Sequence, residues 1–294
     1  MRMRLSLNMR TNSNLLHLVK TGTDGPTLVF IPGLSGTTRY WEGRLGALEQ
    51  EYRVLLIDPL GFGDSPKPWS RYTVDHHVDA LYEILKNEKR FTLIGHSMGT
   101  LLSIAYAARH PEQVERLVLL SAPFFGDAKE ARRFFSHQPI PYGWFFSNMA
   151  LAAVICIITR RVFGRLVPYF RRDLPHEVAE DIVKHSWRSF TSSFWEVICN
   201  YDVKKDADTL DHLPVLCIHG DQDDTAPLAG AMALANGRQN WRVLILSNVD
   251  HHPWLRAPKV CQDAISSSLL PSNPGDVYIN PSNSVQVWKT TIVP

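Results

Sequence analysis

Ser97 stands between two glycines in Gly95-His96-Ser97-Met98-Gly99, and a serine so framed is a candidate nucleophile for covalent catalysis. Its hydroxyl attacks a carbonyl only when a base takes the proton, so a histidine must come within hydrogen-bond reach. A carboxylate must in turn fix that histidine's tautomer. An apolar run of strand type, Phe91-Thr92-Leu93-Ile94, leads in, and an apolar-periodic helix from Thr100 to Ala108 leads out. Strand, Gly-x-Ser-x-Gly, helix is the layout of a nucleophile elbow, a turn too tight for bulk two residues to either side of the serine. The competing reading is a glycine-rich turn that merely contains a serine.

The elements that must position this residue follow from periodicity. Leu15 to Lys20, Thr27 to Ile31, Arg53 to Ile57 and Val114 to Leu120 read as strands, Trp41 to Glu51 and Val74 to Lys86 as helices. Apolar strands alternating with helices imply a mostly parallel sheet covered on both faces. After Pro123 the alternation stops, and it resumes with a strand at Leu213 to His219. A helix near Ala229 to Gly237, a strand at Arg242 to Leu246 and a helix at Val260 to Leu270 follow. The expected organisation is an α/β core from residues 1–123 and 212–270, with a helical cap from 124–211 over the strands' C-terminal ends, where ligands bind in such sheets. Residues 271–294, rich in Pro, Ser and Asn, read as a loose tail, with a weak alternation at Val285, Val287 and Trp288.

Bulk properties narrow the function classes. The 294 residues carry a formal charge of +2, which gives no case for nucleic acid as a partner. Cys156, Cys199, Cys217 and Cys261 lack metal or redox spacing and lie mostly in apolar runs, so buried free thiols are expected. No continuous apolar stretch precedes Thr11-Asn12-Ser13-Asn14, so no cleaved signal peptide and a cytoplasmic location are expected.

The order and spacing of these elements, with the elbow, resemble the α/β-hydrolase superfamily, specifically its capped branch of small esterases and lipases. The resemblance runs from about Leu15 to Leu270 and is weakest across the cap. It implies the chain order nucleophile, acid, histidine. In Asp250-His251-His252-Pro253-Trp254-Leu255-Arg256-Ala257-Pro258, the family's register of a histidine seven positions before proline selects His251, with His252 as the one-residue alternative. Asp250 departs from the glycine usual there. The family's Gly-x-x-Asp with proline four residues on is met by Gly220, Asp223 and Pro227; Asp221, Asp224 and Asp127 are rivals. Phe30-Ile31-Pro32-Gly33-Leu34-Ser35-Gly36 matches the first loop after a strand, with Pro32 in place of histidine. The backbone N–H groups of Leu34 and Met98 are the implied oxyanion hole. His96 and His219 are given no catalytic part: the first points away on a sharp turn, the second packs at a strand end. Asp58 to Ser65 matches a structural loop of the family.

Trp144 to Ile158 is the most apolar stretch, too short for a membrane span of about 20 residues. It reads as a buried cap helix, as the lining of an acyl pocket, or as an interfacial helix. Arg160, Arg161, Arg165, Arg171 and Arg172 directly after it could meet anionic head groups or pair in part with Glu177, Glu180 and Asp181. The expected activity is hydrolysis of a carboxylic ester with a hydrophobic acyl or alcohol part by Ser97, Asp223 and His251, requiring neither metal nor organic cofactor. C–C bond hydrolysis of vinylogous diketones or acyl transfer would use the same triad. A ligand-binding module on this fold is the non-enzymatic alternative.

Overall fold

The computed structural model describes residues 15–138, 149–270 and 286–291. Among the described residues eight strands form one sheet: β1 (Leu18–Gly22), β2 (Thr27–Ile31), β3 (Arg53–Ile57), β4 (Phe91–His96), β5 (Val114–Leu120), β6 (Val215–Gly220), β7 (Trp241–Ser247) and β8 (Gln286–Thr291). Their order is β1-β3-β2-β4-β5-β6-β7-β8. Of these described strands, only β1 runs antiparallel to its neighbour. β4 therefore lies centrally, and the serine that follows it emerges at the middle of the sheet's C-terminal edge.

Successive strand residues supply opposite faces, as the two-residue period demands. Val29, Ile31, Leu55, Ile57 and Leu93 pack with Val78, Leu81, Leu101 and Leu102 of the helices Val74–Leu85 and Met98–Arg109. Leu28, Phe30, Val54, Leu56 and Ile94 pack on the other face with Trp41, Trp254 and Ile265. All four cysteines are free and buried.

Two expectations are corrected. Trp41 to Glu51 is not one helix: a 3-10 turn covers Thr38–Tyr40 and a short helix covers only Leu48–Glu51. Gly43 and Gly46 between them adopt φ of 71° and 54°, which no right-handed helix contains. The tail is not wholly loose either, because Gln286–Thr291 pairs in parallel with β7. The Pro, Ser and Asn content hid this strand, and the otherwise open edge of β7 is what recruits it. Val285 lies outside the described residues.

Between β5 and β6 the described residues form helices at Ala128–Ser136, Met149–Ile158, Val167–Phe170, His176–Asp181, Trp187–Ser193 and Val203–Ala207, and no strand. Residues 144–148 of the apolar stretch lie outside the described residues, and the helix over its remainder is two-faced. Ala152 and Cys156 are buried, while Val154, Ile157 and Ile158 are exposed. The later half of this cap is pinned to the core by polar contacts. Thr37 Oγ1 donates to Asp181 Oδ2 at 2.7 Å, Arg44 to Glu177 at 2.6 Å, and Ser189 Oγ to the Gly61 carbonyl oxygen at 2.8 Å.

Candidate active site

The elbow holds Ser97 at φ 50° and ψ −121°, a strained conformation for a residue with a side chain. Its neighbours explain the glycines. A Cβ on Gly95 would lie 2.5 Å from the Gly99 carbonyl carbon, and one on Gly99 would lie 2.2 Å from the Ile31 carbonyl oxygen. The strain is held from both sides: the Ser97 N–H donates to Leu120 O at 2.9 Å, and the Thr100 N–H to Ser97 O at 2.8 Å.

The loop after β7 brings His251 Nε2 to 2.9 Å from Ser97 Oγ. His251 Nδ1 faces the Asp223 carboxylate at 2.8 and 3.0 Å. A carboxylate only accepts, so Nδ1 carries the proton and Nε2 is left to accept from the serine hydroxyl. Asp223, its side chain fully buried, also receives the Ala226 N–H at 2.8 Å and the Thr225 N–H at 3.0 Å. Burial by itself would raise this carboxyl's pKa. The hydrogen bonds from His219, His251 and the Ala226 amide outweigh it and hold the group far below the ordinary carboxylate range.

The rivals have other engagements. Asp127 caps the helix Ala128–Ser136 through the N–H groups of Lys129 and Glu130. Asp221 accepts from Asn248 N at 2.7 Å, and Asp224 is exposed beside Thr225. His252 turns away from Ser97 towards Tyr40 and His96, with ring centroids 5.8 and 5.4 Å apart. Burial and its histidine neighbours push its pKa far down, so it stays neutral. Asp250, the departure from glycine, braces the turn: it accepts from the His252 N–H at 3.0 Å and pairs with Arg256 at 2.6 Å.

Two histidines passed over in the sequence belong to this site. His219 is buried, with Nε2 2.7 Å from the Ala226 carbonyl oxygen and 3.3 Å from Asp223 Oδ2. The carbonyl can only accept, so Nε2–H points at the acid loop and steadies both oxygens. Its position four residues before Asp223, at a strand end, was the available signal. His96 Nε2 lies 2.8 Å from the His251 carbonyl oxygen and so donates to the loop that carries His251. Its ring stacks on Tyr40 at 4.4 Å. Burial and the neighbouring His251 push its pKa down to about 3, which keeps it neutral.

Leu34 and Ser97 line one wall of a cavity of about 300 Å³. Met98 opens the elbow helix, so its N–H belongs to the turn that lacks intrahelical acceptors. Leu34 sits in the turn closed by Gly36 N–H to Gly33 O at 2.9 Å. The cavity roof comes from the cap: Phe135, Leu174, Val178, Ile182, Phe190 and Phe194, with Arg171 among the lining residues. An apolar chamber thus opens onto a hydroxyl, an imidazole and a carboxylate in series, an arrangement able to perform acyl transfer.

Among the described residues one group, His17, Asp58 and Asp64, brings three potential ligand atoms within 4.8 Å of one another. Asp58 already accepts the N–H groups of Thr38 and Asp64 at 2.7 and 2.8 Å, which reads as a loop brace. No helix among the described residues is long and apolar enough to cross a membrane.

A family profile described as "alpha/beta hydrolase fold" matches residues 26–154, which include the elbow. The chain has the α/β-hydrolase fold. It is 27% identical over 254 residues to "Probable lysophospholipase BODYGUARD 5" of Arabidopsis thaliana, covering 76% of this chain and 57% of that protein. The chain spans about half to three-fifths of the length of the first curated relatives it matches. Among solved structures, a bromoperoxidase from Bacillus anthracis superposes with a TM-score of 0.68 at 25% identity, covering 86% of this chain and 95% of that one. A thermophilic esterase from Thermogutta terrifontis gives 0.67 at 18% identity, over 86% and 92%, a likeness of fold.

Proposed function

We infer that the protein is a serine hydrolase acting on a carboxylic ester with a hydrophobic acyl or alcohol part. The observation that carries this reading is the unbroken series of hydrogen bonds, Ser97 Oγ to His251 Nε2 at 2.9 Å and His251 Nδ1 to Asp223 at 2.8 Å, beneath an apolar roof. His251 takes the Ser97 proton as Oγ bonds to the ester carbonyl carbon. The carbonyl oxygen becomes an oxyanion facing the N–H groups of Leu34 and Met98. Collapse breaks the C–O bond to the alcohol, which leaves with the proton from His251, and the acyl group stays on Ser97. Water then loses a proton to His251, attacks the acyl carbon and releases the acid, and the proton returns to Oγ. Asp223 stays ionised throughout and stabilises the imidazolium.

The cavity's volume and lining favour an aliphatic or aromatic portion over a polar one. The description of relatives as probable lysophospholipases agrees with a single-chain acyl ester as the substrate class. A series of p-nitrophenyl esters from acetate to long acyl chains tests the reading. Turnover should rise with chain length, be lost in Ser97→Ala, and be blocked by a fluorophosphonate that labels Ser97. No labelling of the native protein by the fluorophosphonate, or long esters no better than acetate, would overturn it.

A further inference from the structure

The cap carries an outward surface that the proposed reaction does not use. From Met149 the chain runs through a helix to Ile158, a π turn over Thr159–Phe163, a 3-10 turn over Gly164–Leu166 and a short helix over Val167–Phe170. Val154, Ile158, Val162, Leu166 and Phe170 recur at every fourth position along it, and all five are exposed, Val162 at 65% and Phe170 at 77%. A step of four residues overshoots an α-helical turn of about 3.6 residues and falls short of the wider π turn, so the π segment offsets the drift of the helix before it. Ile157 and Tyr169 widen it.

The charge beside the stripe has one sign. Residues 149–172 contain five arginines and no aspartate or glutamate. The acids expected to offset them are engaged elsewhere: Glu177 pairs with Arg44, Glu180 with Arg39, and Asp181 with Arg39 and Lys184. Arg171 pairs with Asp173, but among the described residues no carboxylate pairs with exposed Arg161 or Arg172. The stripe ends where the chain reaches Arg171 and Leu174, which line the cavity.

We propose that this face, from Val154 to Arg172, docks on an anionic lipid surface and sets the cavity at that surface. A protein partner or a second copy would be served by apolar area alone. Apolar side chains in a stripe with uncompensated arginines on the same segment suit acyl chains below and anionic head groups above. The chemistry rests on the ester-hydrolase reading only for its purpose; the docking does not require turnover.

The test is co-sedimentation with vesicles of phosphatidylcholine alone or mixed with phosphatidylglycerol, with Ser97→Ala alongside the native chain. Both should bind the anionic vesicles, more weakly at high salt, and the neutral ones at least about tenfold more weakly. V162S/F170S and R161E/R172E should each lose anionic binding by about tenfold or more. Both should still hydrolyse p-nitrophenyl acetate at the native rate, which reports an intact fold. Absence of vesicle binding by the native chain, or equal binding by the variants, overturns the proposal. A native dimer in light scattering that V162S/F170S converts to monomer, without vesicle binding, assigns the face to a second copy instead. For the native chain, no vesicle binding with intact hydrolysis of long esters would sink the docking and leave the reaction standing. Vesicle binding by the native chain without esterase activity would do the reverse.

Discussion

Ser97, His251 and Asp223 lie far apart in the chain and meet within hydrogen-bond distances, so their removal should separate chemistry from stability. Ser97→Ala and His251→Ala should each lower turnover of a p-nitrophenyl ester by about 10³-fold or more with an unchanged circular dichroism spectrum. His252→Ala, whose ring faces Tyr40 and His96, should retain activity within about tenfold. The same scale sets the part of His219. It touches Asp223 and the Ala226 carbonyl but does not line the cavity, so in the proposed mechanism its part is to position the acid. Steady-state kinetics on His219→Phe should show kcat reduced roughly tenfold with KM within about twofold, because substrate contacts are untouched. A change confined to KM would show that the ring serves binding instead.

At the scale of elements, the sheet and the cap each hold the site through a few close contacts. Gly99→Ala would drive a methyl to within 2.2 Å of the Ile31 carbonyl oxygen and 2.7 Å of the Pro32 oxygen. Backbone on both sides cannot yield without separating β2 from the elbow, so urea denaturation should register a loss of about 3 kcal/mol or more. Thr37 joins the loop bearing Leu34 to the cap through Asp181. Thr37→Val keeps the shape and removes the donor, leaving a buried carboxylate oxygen short of one bond. A destabilisation of about 1–3 kcal/mol is expected in the same assay. Elements with strong periodicity were legible in the sequence: β2, β3 and β5 fall on the residues expected of them. The helix expected over Trp41 to Glu51 was not, because Gly43 and Gly46 interrupt an apolar pattern that periodicity alone cannot break.

At the scale of the whole molecule, folding buries histidines in neutral form. Burial and a neighbouring histidine push the pKa values of His77 and His96 down to about 3 from 6.5. Between those values the unfolded chain holds protons that the folded chain refuses, so stability is present above pH 6.5 and falls as pH drops towards 3. Each group contributes about 1.4 kcal/mol per pH unit well below its unfolded value. Urea midpoints taken between about pH 7 and pH 4 should fall steadily, and His77→Gln should flatten the slope. Asp223 adds a loss of the same sign only below the ordinary carboxylate range, where its depressed folded pKa begins to matter. What the sequence determined by itself was the elbow, since only glycine at 95 and 99 admits so tight a turn, and the parallel sheet, since strands apolar throughout must be covered on both faces. What the tertiary structure alone decided was which ring meets Ser97, which groups support Asp223, and which face of the cap meets solvent. Those follow from where the loops after β6 and β7 converge and how the cap helices pack. The contact of Ser97 with His251 joins residues 154 positions apart, and that of His251 with Asp223 spans 28, separations that the periodicity of single elements does not encode.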